Sequence, residues 1–151
     1  MVISAQKLKK LIEKGEIQIQ PFNPSQLKEV AYTFTLGTHF SILKKVEVID
    51  GGNPAGFETE SIPASGYVLH PGGFIVGYTQ EKIILNHKYI CLLSGRSTQA
   101  QMGLDVTQSS FLAEPDTENI FALEISNNSG IPIRIFPGMK IAKGIFLEIS
   151  S

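Results

Sequence analysis

From Ala31 onward the chain is cut into short segments rich in β-branched and aromatic residues, separated at close intervals by Gly, Pro and Asn. Isoleucine occurs 19 times and valine 7, so 26 residues favour a pleated surface. Short strands at that density bury their apolar faces only by stacking or curling, which predicts a mainly β fold: a sandwich, jelly roll or barrel-like shell. Candidate strands cover 16–20, 31–36, 39–43, 46–49, 67–69, 74–79, 82–85, 88–93, 104–107, 119–126, 131–136 and 139–148. A single helix precedes them. Ser4 can cap it, Leu8, Leu11 and Ile12 follow the i, i+3, i+4 rule, and Gly15 is placed to end it. Its lysines at positions 7, 9, 10 and 14 read as a solvated face. Pro21, Pro24 and residues 25–29 suggest a turn and one short helical turn.

The last three strands alternate most clearly. Phe121, Leu123 and Ile125 point one way, and Ile120, Ala122, Glu124 and Ser126 the other. Ile131, Ile133 and Ile135 share a face opposite Pro132, Arg134 and Phe136, and Ile141, Ile145, Leu147 and Ile149 continue the pattern. Residues 127–130 and Pro137-Gly138 supply the turns. Between Asp50 and Ser65, the run Gly51-Gly52-Asn53-Pro54-Ala55-Gly56 followed by Glu58 and Glu60 reads as a long exposed loop.

At 151 residues the chain matches one globular domain spanning 1–151, and folding at this size buries about 70% of the unfolded surface, enough for a core without disulfides or a structural metal. The formal charge of −1 and the lack of a Lys/Arg cluster with interleaved aromatics argue against nucleic-acid partners. Cys91, in the apolar run 89–93, reads as a buried, inert thiol. One cysteine excludes an internal disulfide framework and fits a reducing compartment. No apolar run approaches the roughly 18 residues that span a bilayer, so no membrane partner is expected and the chain reads as cytoplasmic.

The common phosphate cradles, Gly-x-x-x-x-Gly-Lys-Ser/Thr and Gly-x-Gly-x-x-Gly, are absent. His39, His70 and His87 stand far apart, and one cysteine cannot build the zinc site of zinc-dependent nucleobase deaminases. His70, before Pro71-Gly72-Gly73, reads as a turn residue. Three features remain. Ser94-Gly95-Arg96-Ser97-Thr98 follows an apolar strand; glycine allows close backbone approach, the guanidinium can clamp phosphate bidentately, and the hydroxyls add donors. Glu124 is a carboxylate in an otherwise apolar strand. Burying it unpaired costs on the order of 3 kcal/mol or more, so it is exposed, paired or in a pocket, and spacing alone favours exposure. Residues 114–119 place Glu114, Asp116 and Glu118 in a turn just before that strand.

These motifs occur in an order that resembles the dCTP deaminase and trimeric dUTPase superfamily. Residues 93–100 with Met102-Gly103-Leu104 are similar to its Gly-Arg-Ser-Ser-Leu-Ala-Arg-Leu-Gly-Leu segment, and residues 31–37 to its Ser-Tyr-Asp-Leu-Arg-Leu-Gly. The opening helix through Ile17, Leu69-His70-Pro71-Gly72 with Phe74, Leu123-Glu124-Ile125-Ser126-Asn127 and Pro137-Gly138-Met139-Lys140-Ile141 complete a resemblance over nearly the whole chain. It implies a β-clip, dUTPase-like shell assembled as a homotrimer, with deoxynucleoside triphosphate sites between subunits. Glu124 is then the general base on a water that attacks the cytosine ring, without zinc, and Ser97 helps place that water. Arg96 and Thr98 hold phosphate oxygens, with Mg2+ bridging the triphosphate; Gln101, Gln108 and Glu114 complete the nucleotide-binding set. In the dUTPase branch an aspartate activates water for phosphate hydrolysis, and Glu114 stands at that place.

The chain also departs from the family pattern. Gln101 replaces the second arginine of the Gly-Arg-Ser segment, removing a positive charge, and Thr33 replaces the aspartate of Ser-Tyr-Asp. Residues 114–119 lack both glycines and the aromatic of the family hairpin, and the histidine expected soon after Gly103-Leu104 is missing from 105–108. The sequence runs to Ser151 without the Tyr/Lys/Gln-rich tail of relatives, which predicts an open site. Three readings follow: a dCTP deaminase-type hydrolase, a dUTP diphosphatase, and a trimeric nucleotide-binding or scaffold homologue without turnover.

Overall fold

The computed structural model describes residues 1–53 and 55–151. The first element is the expected helix, α1 (Ala5–Glu13), capped by Ser4, whose hydroxyl oxygen accepts from the Lys7 amide. Gly15 takes the left-handed φ of 75° just beyond its end, a conformation that costs a residue with a side chain. Leu8 and Leu11 face the core, and the lysines face water. A one-turn 3-10 helix, Pro24–Gln26, follows β1 (Ile17–Gln20).

Among the described residues eleven strands follow the helix: after β1 come β2 (Tyr32–Leu43), β3 (Phe57–Ser61), β4 (Tyr67–Leu69), β5 (Phe74–Leu85), β6 (Tyr89–Gly95), β7 (Leu104–Asp105), β8 (Leu112–Ala113), β9 (Glu118–Asn127), β10 (Ile133–Ile135) and β11 (Lys140–Glu148). Nine form one sheet in the order β7-β9-β5-β2-β11-β6-β8, with β1 beside β5 and β3 beside β2; β4 and β10 form a separate antiparallel pair. The mainly β fold read from the sequence is the fold observed.

Its boundaries differ where the chain bends. Segments 31–36 and 39–43 are one strand, β2, and 74–79 and 82–85 are one strand, β5. Each is interrupted in register, β2 against β5 between Leu36 and Phe40, and β5 against β9 between Tyr78 and Lys82. Such irregularities turn a long strand so that its halves serve different neighbours. At the β5 bend two polar residues that read as a break, Thr79 and Glu81, are held inside, while Thr38 and His39 at the β2 bend face water. Thr79 donates its hydroxyl to the Glu81 carbonyl at 2.8 Å and accepts from the Phe121 amide at 2.9 Å.

Residues 46–49, expected as a strand, form none; Val46 and Val48 are exposed and find no partner, so β-branching alone does not make a strand. The expected loop 50–65 contains β3, which pairs with β2 and is exposed on both faces, so it carries no alternation for a sequence to show. Pro54 lies outside the described residues. Strand β11 also corrects the expected pattern: an irregularity between Lys140 and Ala142 shifts the parity, and Ala142, Gly144 and Phe146 face inward, while Ile145 and Leu147 are only partly covered and Ile149 is exposed. Gly144 permits this, because a methyl there would stand 2.5 Å from the Phe34 ring. Ile131 is likewise exposed, outside the Ile133 and Ile135 face.

The core gathers Phe34 between Tyr32 and Phe121, with ring centroids 5.2 and 5.3 Å apart in edge-on contacts. Cys91 lies in this core, fully buried, and burial pushes its thiol up, as an inert cysteine requires.

Candidate active site

Strand β9 alternates as read: Phe121, Leu123 and Ile125 are buried, and Glu124 projects from the opposite face. There it is half-buried rather than exposed, a correction that comes from neighbours the spacing could not reveal. Residues 110–114, leading through β8, Thr117 of the following turn and Asn119 of β9 form the walls of a cavity of about 330 Å3 that Glu124 lines together with Leu93 and Phe121. Glu124 Oε2 is out of contact with water and meets no donor among the described residues. Burial pushes the carboxyl above its ordinary value, its own amide acts the other way, and the negative charge of Asp105 adds to the rise. Among the described residues no Lys, Arg or His lines this cavity.

Glu114 lines the same cavity, so the structure brings together the two carboxylates singled out in the sequence. The turn that carries Glu114 is held by the Thr117 hydroxyl, which donates to the Glu114 carbonyl at 2.6 Å, and Asp116 takes a left-handed φ of 60° where the family pattern has glycine. Gln108 sits in a second turn, beside the strand: Thr107 bridges to Glu124 in a parallel register, and Gln108 itself has φ of 46°.

The Arg96 group lies elsewhere. Residues 97–101, left unassigned between the candidate strands 88–93 and 104–107, form a short helix, α2 (Ser97–Gln101). Ser97, Thr98 and Gln101 are on its exposed side, and none of them lines the Glu124 cavity. The Arg96 guanidinium donates to the Lys140 carbonyl at 3.4 Å and has no acidic partner among the described residues. Gln99, buried on the inner side of α2, donates to the same carbonyl at 2.8 Å and fastens the helix to β11. Gly103, with φ of 92°, ends α2 where any side chain would strike Ser129 at 2.8 Å. Within one chain, then, Arg96, Ser97 and Thr98 are not among the residues that line the cavity shared by Glu124 and Glu114.

Two polar residues that sequence reading missed are Glu81 and Asp105. Glu81 is buried and accepts from the Thr35 amide at 2.7 Å, the Thr35 hydroxyl at 2.6 Å and Gln26 Nε2 at 3.3 Å. An isolated acid between two apolar runs was the available signal. Among the described residues no three His, Cys, Asp or Glu side chains gather as metal ligands. Among the described residues no helix is long and apolar enough to cross a membrane.

A family model described as dCTP deaminase-like matches residues 2–149. A dCTP deaminase, dUMP-forming, of Tropheryma whipplei (strain Twist) is 30% identical over 156 residues, covering all of this chain and 80% of the relative. The enzyme of the same description from Nanoarchaeum equitans is 30% identical over 165 residues, covering 95% of this chain and 82% of the relative. Among solved structures, the 2'-deoxycytidine 5'-triphosphate deaminase of Agrobacterium tumefaciens superposes with a TM-score of 0.76 at 14% identity, over 99% of this chain and 48% of that one, so this chain spans about half its length. A mutant dUTPase of phage phi11 of S. aureus, described for its coordination of a structural Mg(II) ion, superposes with a TM-score of 0.58 at 14% identity, over 89% of this chain and 92% of that one. At such identity these two superpositions speak for the fold, a dUTPase-like β shell.

Proposed function

Because the chain belongs to the dCTP deaminase-like family, we propose that it deaminates a cytosine deoxynucleoside triphosphate hydrolytically, at sites shared between copies of a homotrimer. The observation that carries this reading is the orphaned Glu124 Oε2: an acceptor withdrawn from water, in a cavity without a basic group, calls for a donor from outside the chain. Arg96, Ser97 and Thr98 are donors without an acidic partner on another surface of the same chain, and a neighbouring copy can bring such a set to the carboxylate. Exposed apolar side chains at the cavity, Phe111, Leu112 and Ile120, support a protein-covered rim.

In this reading Glu124 takes a proton from water as the water oxygen bonds to the ring carbon bearing the amino group. The carboxyl then returns that proton to the departing nitrogen, so cytosine and water become uracil and ammonia. A carboxyl lifted above its ordinary value is suited to both steps, since it holds and releases a proton nearer the working pH. Ser97 of one copy positions the water, Arg96 and Thr98 bind phosphate oxygens, and Gln101 and Gln108 offer amides to the nucleotide. The residues present do not build a protein cage for a metal, so Mg2+ would arrive on the triphosphate and neutralise its oxygens.

A second reading is favoured by one observation: Glu114 shares the cavity with Glu124. It would activate water for cleavage of the triphosphate, as in dUTP diphosphatase. The dUMP-forming description of the curated relatives joins both chemistries, because dCTP reaches dUMP only by losing ammonia and two phosphoryl groups. The test is purified protein with Mg2+ and dCTP or dUTP, assayed for ammonia and pyrophosphate. Ammonia that disappears in Glu124→Gln supports the deaminase. Pyrophosphate from dUTP that disappears in Glu114→Gln supports the diphosphatase. Neither product, with a melting temperature raised by dCTP, leaves the nucleotide-binding homologue.

A further inference from the structure

Strand β7 pairs with the end of β9, and Asp105 lies directly opposite Ser126. Residues opposite each other project to the same face, and Ser126 shares its face with Glu124, two residues away. Asp105 is therefore the diagonal neighbour of Glu124 on that face. Its Oδ1 accepts from the Thr107 amide at 3.1 Å and the Gln108 amide at 3.3 Å, closing an Asx turn. That turn delivers Thr107 into its parallel bridge with Glu124 and supports the left-handed backbone of Gln108. One side chain thus fastens the segment beside the carboxylate and sets a like charge near it.

We propose that Asp105 is a positioning residue for Glu124, clamping the 105–108 turn against β9 and keeping a negative charge on the face from which the carboxylate projects. The proposal deepens the deaminase reading and rests on Glu124 being the base. The groups that face Glu124 are Asp105 from β7, Glu114, Ser110 and Thr117 from the cavity wall, and Ser126 from β9 itself; Val76 of β5 is its apolar register partner. No cation among them offsets Asp105. Burial raises the Glu124 carboxyl, and the Asp105 charge adds to that rise, so the group stays protonated to a higher pH than it would without Asp105.

The experiment follows the carboxyl itself, by 13C NMR titration of the full chain, with Glu124 assigned through Glu124→Gln. Asp105→Asn keeps an acceptor oxygen for both amides and removes only the charge. The Glu124 midpoint is expected to fall by about half a pH unit, the effect of one charge about 7–8 Å away with an effective dielectric constant near that of water. Asp105→Glu keeps the charge and disturbs the clamp; the midpoint stays near the parent value while amide exchange at Thr107 and Gln108 quickens. A midpoint that does not move in Asp105→Asn overturns the proposal. If the parent protein releases ammonia, the acidic limb of kcat follows the NMR midpoint downward in Asp105→Asn, with KM unchanged. A limb that stays put while the carboxyl moves removes Glu124 as the base, and a parent that releases no ammonia sinks the deaminase reading alone.

Discussion

Glu81 and Glu124 stand on neighbouring, directly paired strands, and each has carboxylate oxygen withdrawn from water. Glu81 accepts three hydrogen bonds from Thr35 and Gln26, which tie the 3-10 helix and β2 to the bend of β5. Glu124 Oε2 has no partner among the described residues. A stable fold satisfies a buried charge, as at Glu81; a carboxylate oxygen held dry and unpaired carries a cost that a ligand or a second subunit can offset. The pair therefore separates a carboxylate whose hydrogen bonds tie elements of the shell together from one that ties nothing within the described residues.

The sharpest attempt to break this comparison is substitution at Glu124. Glu124→Gln is expected to lower ammonia release from dCTP by at least about 100-fold, the usual scale for removing a general base, with the protein still folded by circular dichroism. Glu81→Ala is expected to do the reverse: removing the acceptor leaves the Thr35 donors stranded and costs about 2–4 kcal/mol in chemical denaturation. Its effect on turnover in the folded fraction should be minor.

A subtler prediction concerns pH. The Glu124 carboxyl is raised above its ordinary value of 4.5, so ionising it in the folded chain costs more than in the unfolded chain. That cost is absent below the ordinary value and fully present above the raised one. Glu124→Gln should therefore melt higher than the parent at neutral pH, and the gain should vanish in acid; a gain independent of pH would place the carboxylate in ordinary solvent. The smallest effect belongs to a third carboxylate, Glu148, exposed and 2.6 Å from Lys7 Nζ, which holds it below the usual range. Lys7→Ala should leave the melting temperature unchanged within error, because a solvated pair competes with water and salt.

Much of this was legible in the order of residues. The β-branched density announced the mainly β shell, the cap at Ser4 and the stop at Gly15 delimited α1, and the parity of Phe121, Leu123 and Ile125 turned Glu124 to the opposite face. The errors share a cause. Glu58 and Glu60 disguised an edge strand that lacks an inner face, and Val46 and Val48 promised a strand that no neighbour completes. At Lys140–Ala142 one irregularity reversed which residues of β11 face inward. The roles of Ser97, Arg96 and Thr98 rested on resemblance, and their separation from Glu124 could be seen only in three dimensions.

The linear order of side chains by itself determined the class of fold, the helix and its ends, the inert Cys91 and the inventory of reactive groups, because each depends on local periodicity or on composition. Tertiary structure alone decided that Glu124 would be sheltered and unpaired, that Glu81 would be sheltered and satisfied, and that Asp105 would stand diagonal to the former. The physical reason is that dryness and charge pairing belong to a neighbourhood built from strands far apart in the chain, and no single segment carries the information about its neighbours.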